Sequence, residues 1–272
     1  MSQNCWNALL RLLLISATCL GAGPILTAEP VIEDVVFRAA VDGRDERYVR
    51  ILPADFGPAQ SHDVLLALHG HGSDRWQFVK QPRDECRAAR DTAAKHRLIY
   101  LSPDYRATTS WMGPKAEADV VQIIRETKQK YKVGRVFISG GSMGGTSSLA
   151  FAALHPELVD GVVAMNGTAN LLEYENFQDA IRQSYGGDKQ AVPEVYKSRS
   201  AELWPDRLTM PIACTTGGRD RSVPPQSVLR LMDELKRRNR PVLLLHRPDG
   251  GHDTPYDHAR QAYEFVIQAA AK

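Results

Sequence analysis

Between Arg135 and Leu154 the chain reads RVFISGGSMGGTSSLAFAAL, and this stretch places a hydroxyl nucleophile in a setting that can activate it. The apolar Val136-Phe137-Ile138 has strand character. It runs into Gly140-Gly141-Ser142-Met143-Gly144-Gly145, and a helix-compatible segment follows. G-x-S-x-G between a strand and a helix is the pattern of a nucleophile elbow. Such a turn is strained so that the serine hydroxyl projects above the sheet, and its glycines leave room where a Cβ would meet neighbouring backbone. The Met143 amide would then lie at a helix N-terminus, where N–H groups and the helix dipole favour a developing oxyanion. Two rival uses of a glycine-rich strand–helix turn fit less well. A phosphate-binding P-loop needs Lys followed by Ser or Thr, and the turn has no Lys; a dinucleotide fingerprint needs G-x-G-x-x-G, which Gly141, Gly144 and Gly145 do not provide.

A serine hydroxyl needs a base to take its proton and a third group to orient that base. Both candidates follow Ser142 in the chain, each just after an apolar run. Ile212–Thr216 leads into Gly217-Gly218-Arg219-Asp220, and Val242–Leu245 leads through Arg247-Pro248-Asp249 into Gly250-Gly251-His252. Asp220 is therefore the expected acid and His252 the expected base. A lone Asp or His is usually surface decoration; three suitable residues in the order Ser, Asp, His, each at the C-terminal end of its own strand, are not. Asp249 and Asp206 are rival acids. Asp249 lies only three residues from His252 on one loop, a poor place from which to orient it.

A second oxyanion donor is expected after the first long buried run. Val64–Leu68 enters His69-Gly70-His71-Gly72-Ser73-Asp74, where the His71 amide is the leading candidate and Gly72 the second. Gly72 and Trp111 are candidate walls of a substrate pocket, although Trp111 is equally readable as a core anchor. Asp104, Tyr105 and Arg106 also end a strand and could face the pocket. His69-x-His71 resembles the start of a metal-hydrolase H-x-H-x-D-H motif, but Ser73 and Asp74 stand where its Asp and His belong.

The elements that must hold these residues are legible as alternation. Val35–Val41 and Arg47–Leu52 flank Asp42-Gly43 and predict an antiparallel hairpin. Val64–Leu68, Leu98–Leu101, Arg135–Ile138, Gly161–Met165, Ile212–Thr216 and Val242–Leu245 are short β-branched and aliphatic runs of the kind buried on both faces of a parallel sheet. Between them run helical stripes: Cys86, Ala89, Ala93; Val120, Ile123, Ile124, Thr127, Tyr131; Val228, Leu231, Met232, Leu235; and Ala259, Ala262, Tyr263, Val266, Ala270. This is an α/β pattern of about eight mostly parallel strands flanked by helices. The stretch 169–208 contains no strand run but carries Tyr174, Phe177, Tyr185, Tyr196 and Trp204. It reads as a short helical, lid-like insertion.

Composition sets the outer limits. The 272 residues are 43% hydrophobic and 24% charged with a net charge of +2, an ordinary globular balance that gives no reason to expect nucleic acid as a partner. Residues 1–28 carry no acid and one basic residue, Arg11, followed by the apolar run Leu12–Leu20 and small residues up to Ala28. This reads as a secretory signal, with residues 29–272 as one domain that is secreted or periplasmic and not stably inserted in a membrane after processing. A membrane anchor or a lipid on Cys19 are the weaker alternatives; Ser16 stands where a lipidation signal wants an aliphatic residue. Cys86 and Cys214 would remain, as a disulfide or as buried thiols.

Taken together, GGSMGG, HGHG, GGRDRSVPP and GGH resemble the nucleophile, oxyanion loop, acid and base segments of the α/β-hydrolase superfamily. The stretch from Pro193, PEVYKSRSAELWPDRL and then MPIACTTGGRDRSVPP, is most similar to the branch holding prolyl-oligopeptidase catalytic domains and secreted feruloyl, acetylxylan and polyhydroxyalkanoate esterases. The resemblance implies an α/β-hydrolase fold over essentially all of 31–272. It also implies a Ser142–Asp220–His252 triad and acyl transfer through a serine ester, with no metal or cofactor, on a small-molecule or polymer ester. The oligopeptidases carry a β-propeller ahead of the hydrolase domain, for which this sequence offers no room. That departure turns the expectation toward an esterase, with a peptidase or amidase as runner-up.

Overall fold

The computed structural model describes residues 30–271. The expected signal segment, with Arg11 and Cys19, lies outside them. A hairpin of β1 (Val31–Arg38) and β2 (Asp45–Leu52) leads into β3 (His62–Leu68), then α1 (Gln77–Lys80), α2 (Asp84–Lys95), β4 (Ile99–Pro103) and α3 (Pro114–Lys130). There follow β5 (Val133–Gly141), α4 (Met143–Leu154), β6 (Gly161–Met165), α5 (Gln178–Tyr185), α6 (Pro193–Ser198), β7 (Ile212–Gly217), α7 (Gln226–Arg237), β8 (Val242–Arg247) and α8 (Tyr256–Ala269). The eight strands form one sheet in the order β1-β2-β4-β3-β5-β6-β7-β8. β2 is antiparallel to both its neighbours, and β4, β3, β5, β6, β7 and β8 run parallel.

Period-two alternation divides the core into two layers. Along β3, Val64, Leu66 and Leu68 enter one layer and Leu65 and Ala67 the other. The same split separates Val136 and Ile138 from Phe137, and Ile212 and Cys214 from Ala213. α2 and α8 cover one face; α3, α4, α7 and the β6–β7 insertion cover the other. α4 is apolar nearly all round and is buried from Met143 to Ala153, as a central helix must be. Full burial of a Val, Leu, Ile or Phe side chain stabilises by about 1.5–3 kcal/mol. The centre of the sheet, where β3, β5 and β6 meet, is therefore the part most resistant to opening, and the nucleophile turn is anchored there.

The predicted helical stripes are buried except at Tyr131 and Ala270, which lie just past the ends of their helices and are half-buried. Several strands run one to three residues beyond the expected bounds, and the largest difference is in the hairpin. β1 begins at Val31 and ends at Arg38, whereas the sequence suggested 35–41. The reason is a six-residue loop over 39–44, closed by the Gly43 amide donating to Ala39 O (2.7 Å) and the Ala39 amide to Arg44 O (2.8 Å). Cys86 and Cys214 are free thiols in opposite layers of the core, so the sheet itself stands between them.

Candidate active site

Parallel strands end together, and residues just beyond those ends converge on a single rim. Ser142 follows β5 with φ +58° and ψ −119°, a conformation that costs a non-glycine residue about 1–3 kcal/mol. The surroundings hold it there. Its amide donates to Met165 O on β6 (2.8 Å), and its carbonyl accepts the Thr146 amide of α4 (3.0 Å). Gly144 shows why the turn needs glycine: a Cβ there would lie 2.1 Å from Leu68 O, inside the backbone of β3.

From that turn Ser142 Oγ reaches His252 Nε2 at 2.9 Å, and His252 Nδ1 reaches Asp220 Oδ2 at 2.6 Å. The Asp220 carboxylate is almost fully enclosed. Its other oxygen, Oδ1, accepts the Ser222 and Val223 amides, both at 2.9 Å. An ionised carboxylate against Nδ1 places the imidazole proton on that nitrogen and leaves Nε2 as an acceptor facing the serine. The acid and base loops touch backbone to backbone; a Cβ on Gly217 would sit 2.1 Å from Gly251 O. The rival acids point away: Asp249 pairs with Arg219, and Asp206 with Arg238.

The Met143 amide opens α4, among the N–H groups that have no intrahelical acceptor. In the loop after β3, the Gly70 amide donates to Gln77 Oε1 (2.7 Å) and the Gly72 amide to Thr108 O (2.8 Å). The His71 amide between them makes no hydrogen bond among the described residues. His69 does not turn toward a common ion with His71. It is fully buried, with Nδ1 2.9 Å from Gly70 O and Nε2 3.2 Å from Asp104 O, and burial pushes its pKa down.

A cavity of about 260 Å³ contains Ser142 and His252. Its walls include His71, Phe177, Asn166, Thr254 and the Arg83–Glu85 ion pair (2.8 Å). Gly72 and Trp111, expected as walls, are not among them. Gly72 faces open space with φ +79°. Trp111 is wholly buried behind His71, to whose Nδ1 its indole N–H donates (3.1 Å). Asp104 and Arg106 are likewise turned aside, into ion pairs with Arg75 and with Asp42, Glu46 and Asp119. Tyr105 donates to His69 O (2.6 Å). Asn166 could have been found by the rule that found Asp220, because it is the first residue beyond β6. Arg83, Glu85 and Phe177 carry no such signal.

The insertion packs down rather than standing off. Ile181, Tyr185 and Tyr196 join the core, and only Phe177, 40% exposed with φ +54°, reaches the cavity. Tyr185 donates to Trp111 O (2.9 Å) and Arg199 Nε to Met112 O (2.6 Å), which fixes two successive residues at positive φ. Tyr174 donates to Ser222 O (2.8 Å), two residues past the acid. A larger apolar groove of about 820 Å³ lies between the β2 end and α2, lined by Ile51, Leu52, Ala94 and Leu98, and contains none of the three converging residues.

An eight-stranded, mostly parallel sheet with Ser, His and Asp gathered beyond its C-terminal strand ends defines an α/β-hydrolase. The profile of the prolyl oligopeptidase family matches residues 105–271, more than half of the chain. The chain belongs to that family and is a serine hydrolase of the α/β-hydrolase type. Solved structures share the fold. FphF, a fluorophosphonate-binding serine hydrolase of Staphylococcus aureus, is 19% identical with a TM-score of 0.67, over 89% of this chain and 98% of its own. A ferulic acid esterase is 17% identical with a TM-score of 0.68, over 88% and 98%. A putative dipeptidyl aminopeptidase IV from Bacteroides ovatus is 20% identical with a TM-score of 0.68; 89% of this chain is covered but only 36% of that one.

Proposed function

We propose that this chain is an exported serine esterase that cleaves carboxylic esters through an acyl-enzyme, with Ser142 as nucleophile, His252 as base and Asp220 as its orienting acid. The observation that carries the proposal is the unbroken relay from Ser142 Oγ to His252 Nε2 (2.9 Å) and from His252 Nδ1 to Asp220 Oδ2 (2.6 Å). The serine attacks the ester carbonyl as its proton passes to Nε2. The resulting imidazolium is stabilised by the buried carboxylate. Negative charge on the carbonyl oxygen is met by the Met143 and His71 amides. His252 then protonates the departing alcohol, and water repeats the sequence to release the acid.

Two observations favour an ester. The cavity is small, with polar and apolar walls in about equal share, suited to a short acyl group beside a hydroxylated alcohol such as a sugar. The solved structures that align over nearly their whole length include a ferulic acid esterase. Membership of the prolyl oligopeptidase family supports the second reading, a peptidase or amidase. Amide cleavage asks more of the same groups, because the leaving amine must be protonated as it departs.

The purified protein should hydrolyse p-nitrophenyl acetate and at least one of methyl ferulate and acetylated xylan faster than a dipeptide amide, and Ser142→Ala should abolish all of it. Preference for the amide would select the second reading; turnover untouched by Ser142→Ala would remove both. Export is tested by N-terminal sequencing of the protein recovered outside the cytoplasm, with cleavage after Ala28 expected.

A further inference from the structure

We propose that the His71 imidazole is a fixed, neutral hydrogen-bond donor to an oxygen of the bound ester, with Trp111 as the positioning residue that sets its tautomer; this rests on the esterase reading above. An indole N–H can only donate. Trp111 Nε1 lies 3.1 Å from His71 Nδ1, so Nδ1 must supply a lone pair and the ring proton must sit on Nε2. Protonating the imidazole would set one N–H against another. Burial pushes the His71 pKa down, in the same direction.

The indole is held from several sides. It is fully buried, with Tyr174 and Phe177 each 5.5 Å away between ring centroids; Tyr185 holds its carbonyl and Arg199 the carbonyl of the next residue, Met112. The His71 ring in turn packs against Phe177 at 4.5 Å. Its Nε2 has no partner among the described residues, yet it is not among the enclosed polar atoms that lack one. It therefore faces open space, and the cavity that His71 lines is the one holding Ser142 and His252. A donor without charge, fixed in direction beside an aromatic ring, complements an ester or ether oxygen rather than a cation. The side chain would thus add a contact to the one proposed for the amide of the same residue.

The test uses the full chain on p-nitrophenyl acetate with His71→Leu, His71→Gln and His71→Asn, beside Ser142→Ala. Gln carries an amide donor about as far from the backbone as imidazole Nε2; Asn ends near the level of Nδ1. Loss of one neutral hydrogen bond lowers kcat/KM by about three- to tenfold. His71→Leu and His71→Asn should show that loss, and His71→Gln should recover most of it. Long-range ¹H–¹⁵N spectra should assign to His71, by its absence in the Gln variant, a resonance of the Nε2–H tautomer, with its Nδ1 shift altered in Trp111→Phe. An Nδ1–H tautomer, a Gln variant no better than Leu, or a Leu variant equal to wild type would overturn the inference. If Ser142→Ala retains turnover the esterase reading fails instead, whereas an inactive Ser142→Ala with a flat His71 series sinks only the His71 donor.

Discussion

Asp220→Asn should leave the protein folded and cost about 10⁴-fold in kcat, for a reason that can be followed atom by atom. Asp220 Oδ1 accepts the Ser222 and Val223 amides at 2.9 Å each. Two N–H donors cannot face an NH₂ group, so an asparagine must keep its oxygen there and turn its nitrogen to His252. The 2.6 Å contact then becomes a donor aimed at Nδ1, and the imidazole can answer only by moving its proton to Nε2. Nε2 would donate to Ser142 Oγ instead of accepting from it, and the base would be lost while its position is kept. Placing a triad histidine in the wrong tautomer costs on the order of 10⁴ in rate, or about 5 kcal/mol at 1.36 kcal/mol per decade. Initial rates on p-nitrophenyl acetate would measure it, and thermal unfolding would show that both amide contacts persist. Asp249→Asn and Asp206→Asn, whose carboxylates pair with Arg219 and Arg238 at the surface and not with His252, should leave the rate within about twofold. An Asp220→Asn variant within tenfold of wild type, or an Asp249→Asn variant that matches its loss, would refute the assignment of the acid.

Gly144→Ala should destabilise by at least about 1–3 kcal/mol, the usual overpacking penalty, because its Cβ would meet backbone of β3 and not a side chain that can swing away; chemical denaturation would read it, and an unchanged midpoint would contradict the described turn. Cys86 and Cys214, whose thiols burial pushes up to about 12, should resist a thiol reagent at pH 8 in the native protein and both react once it is unfolded; recovery of fewer than two thiols from residues 30–271 would reveal a bridge. Asp119 should make stability pH-dependent. Burial, with Glu46 and Asp42 adding repulsion, raises its pKa from 3.8 to about 7 against the pull of Arg106. The folded state thus holds a proton there that the unfolded state has released, so the contribution of Asp119 to stability falls as pH rises from about 4 to about 7. Asp119→Asn should flatten that slope in urea titrations at pH 5 and pH 8, whatever constant offset arises from the lost Arg106 pair.

Much of the fold was legible because its signals are local. Val64–Leu68 and Ile212–Cys214 are apolar at every position and short, as suits a strand covered on both faces, and the glycines around Ser142, Asp220 and His252 mark where backbones must touch. The hairpin boundary was harder: Ala39 to Val41 continue an apolar stretch, and only the closing hydrogen bonds across 39–44 end the strand. Trp111 was divided between core and pocket because the answer depends on Tyr185 and Arg199, more than seventy positions away in sequence, pulling its backbone inward. The cavity walls were least visible. Arg83 and Glu85 belong to the start of α2, and nothing in their own neighbourhood says that this end faces the serine.

The insertion's anchoring bears on how this scaffold could be diversified. Exchanging residues 169–208 for the equivalent stretch of another hydrolase would change more than the cover over the cavity. It would also cut the Tyr174 brace behind the acid loop and release the two left-handed residues at 111–112. A chimera made to alter substrate preference should therefore lose turnover as well unless Tyr174, Tyr185 and Arg199 travel with the host, which makes those three side chains the natural seam for grafting.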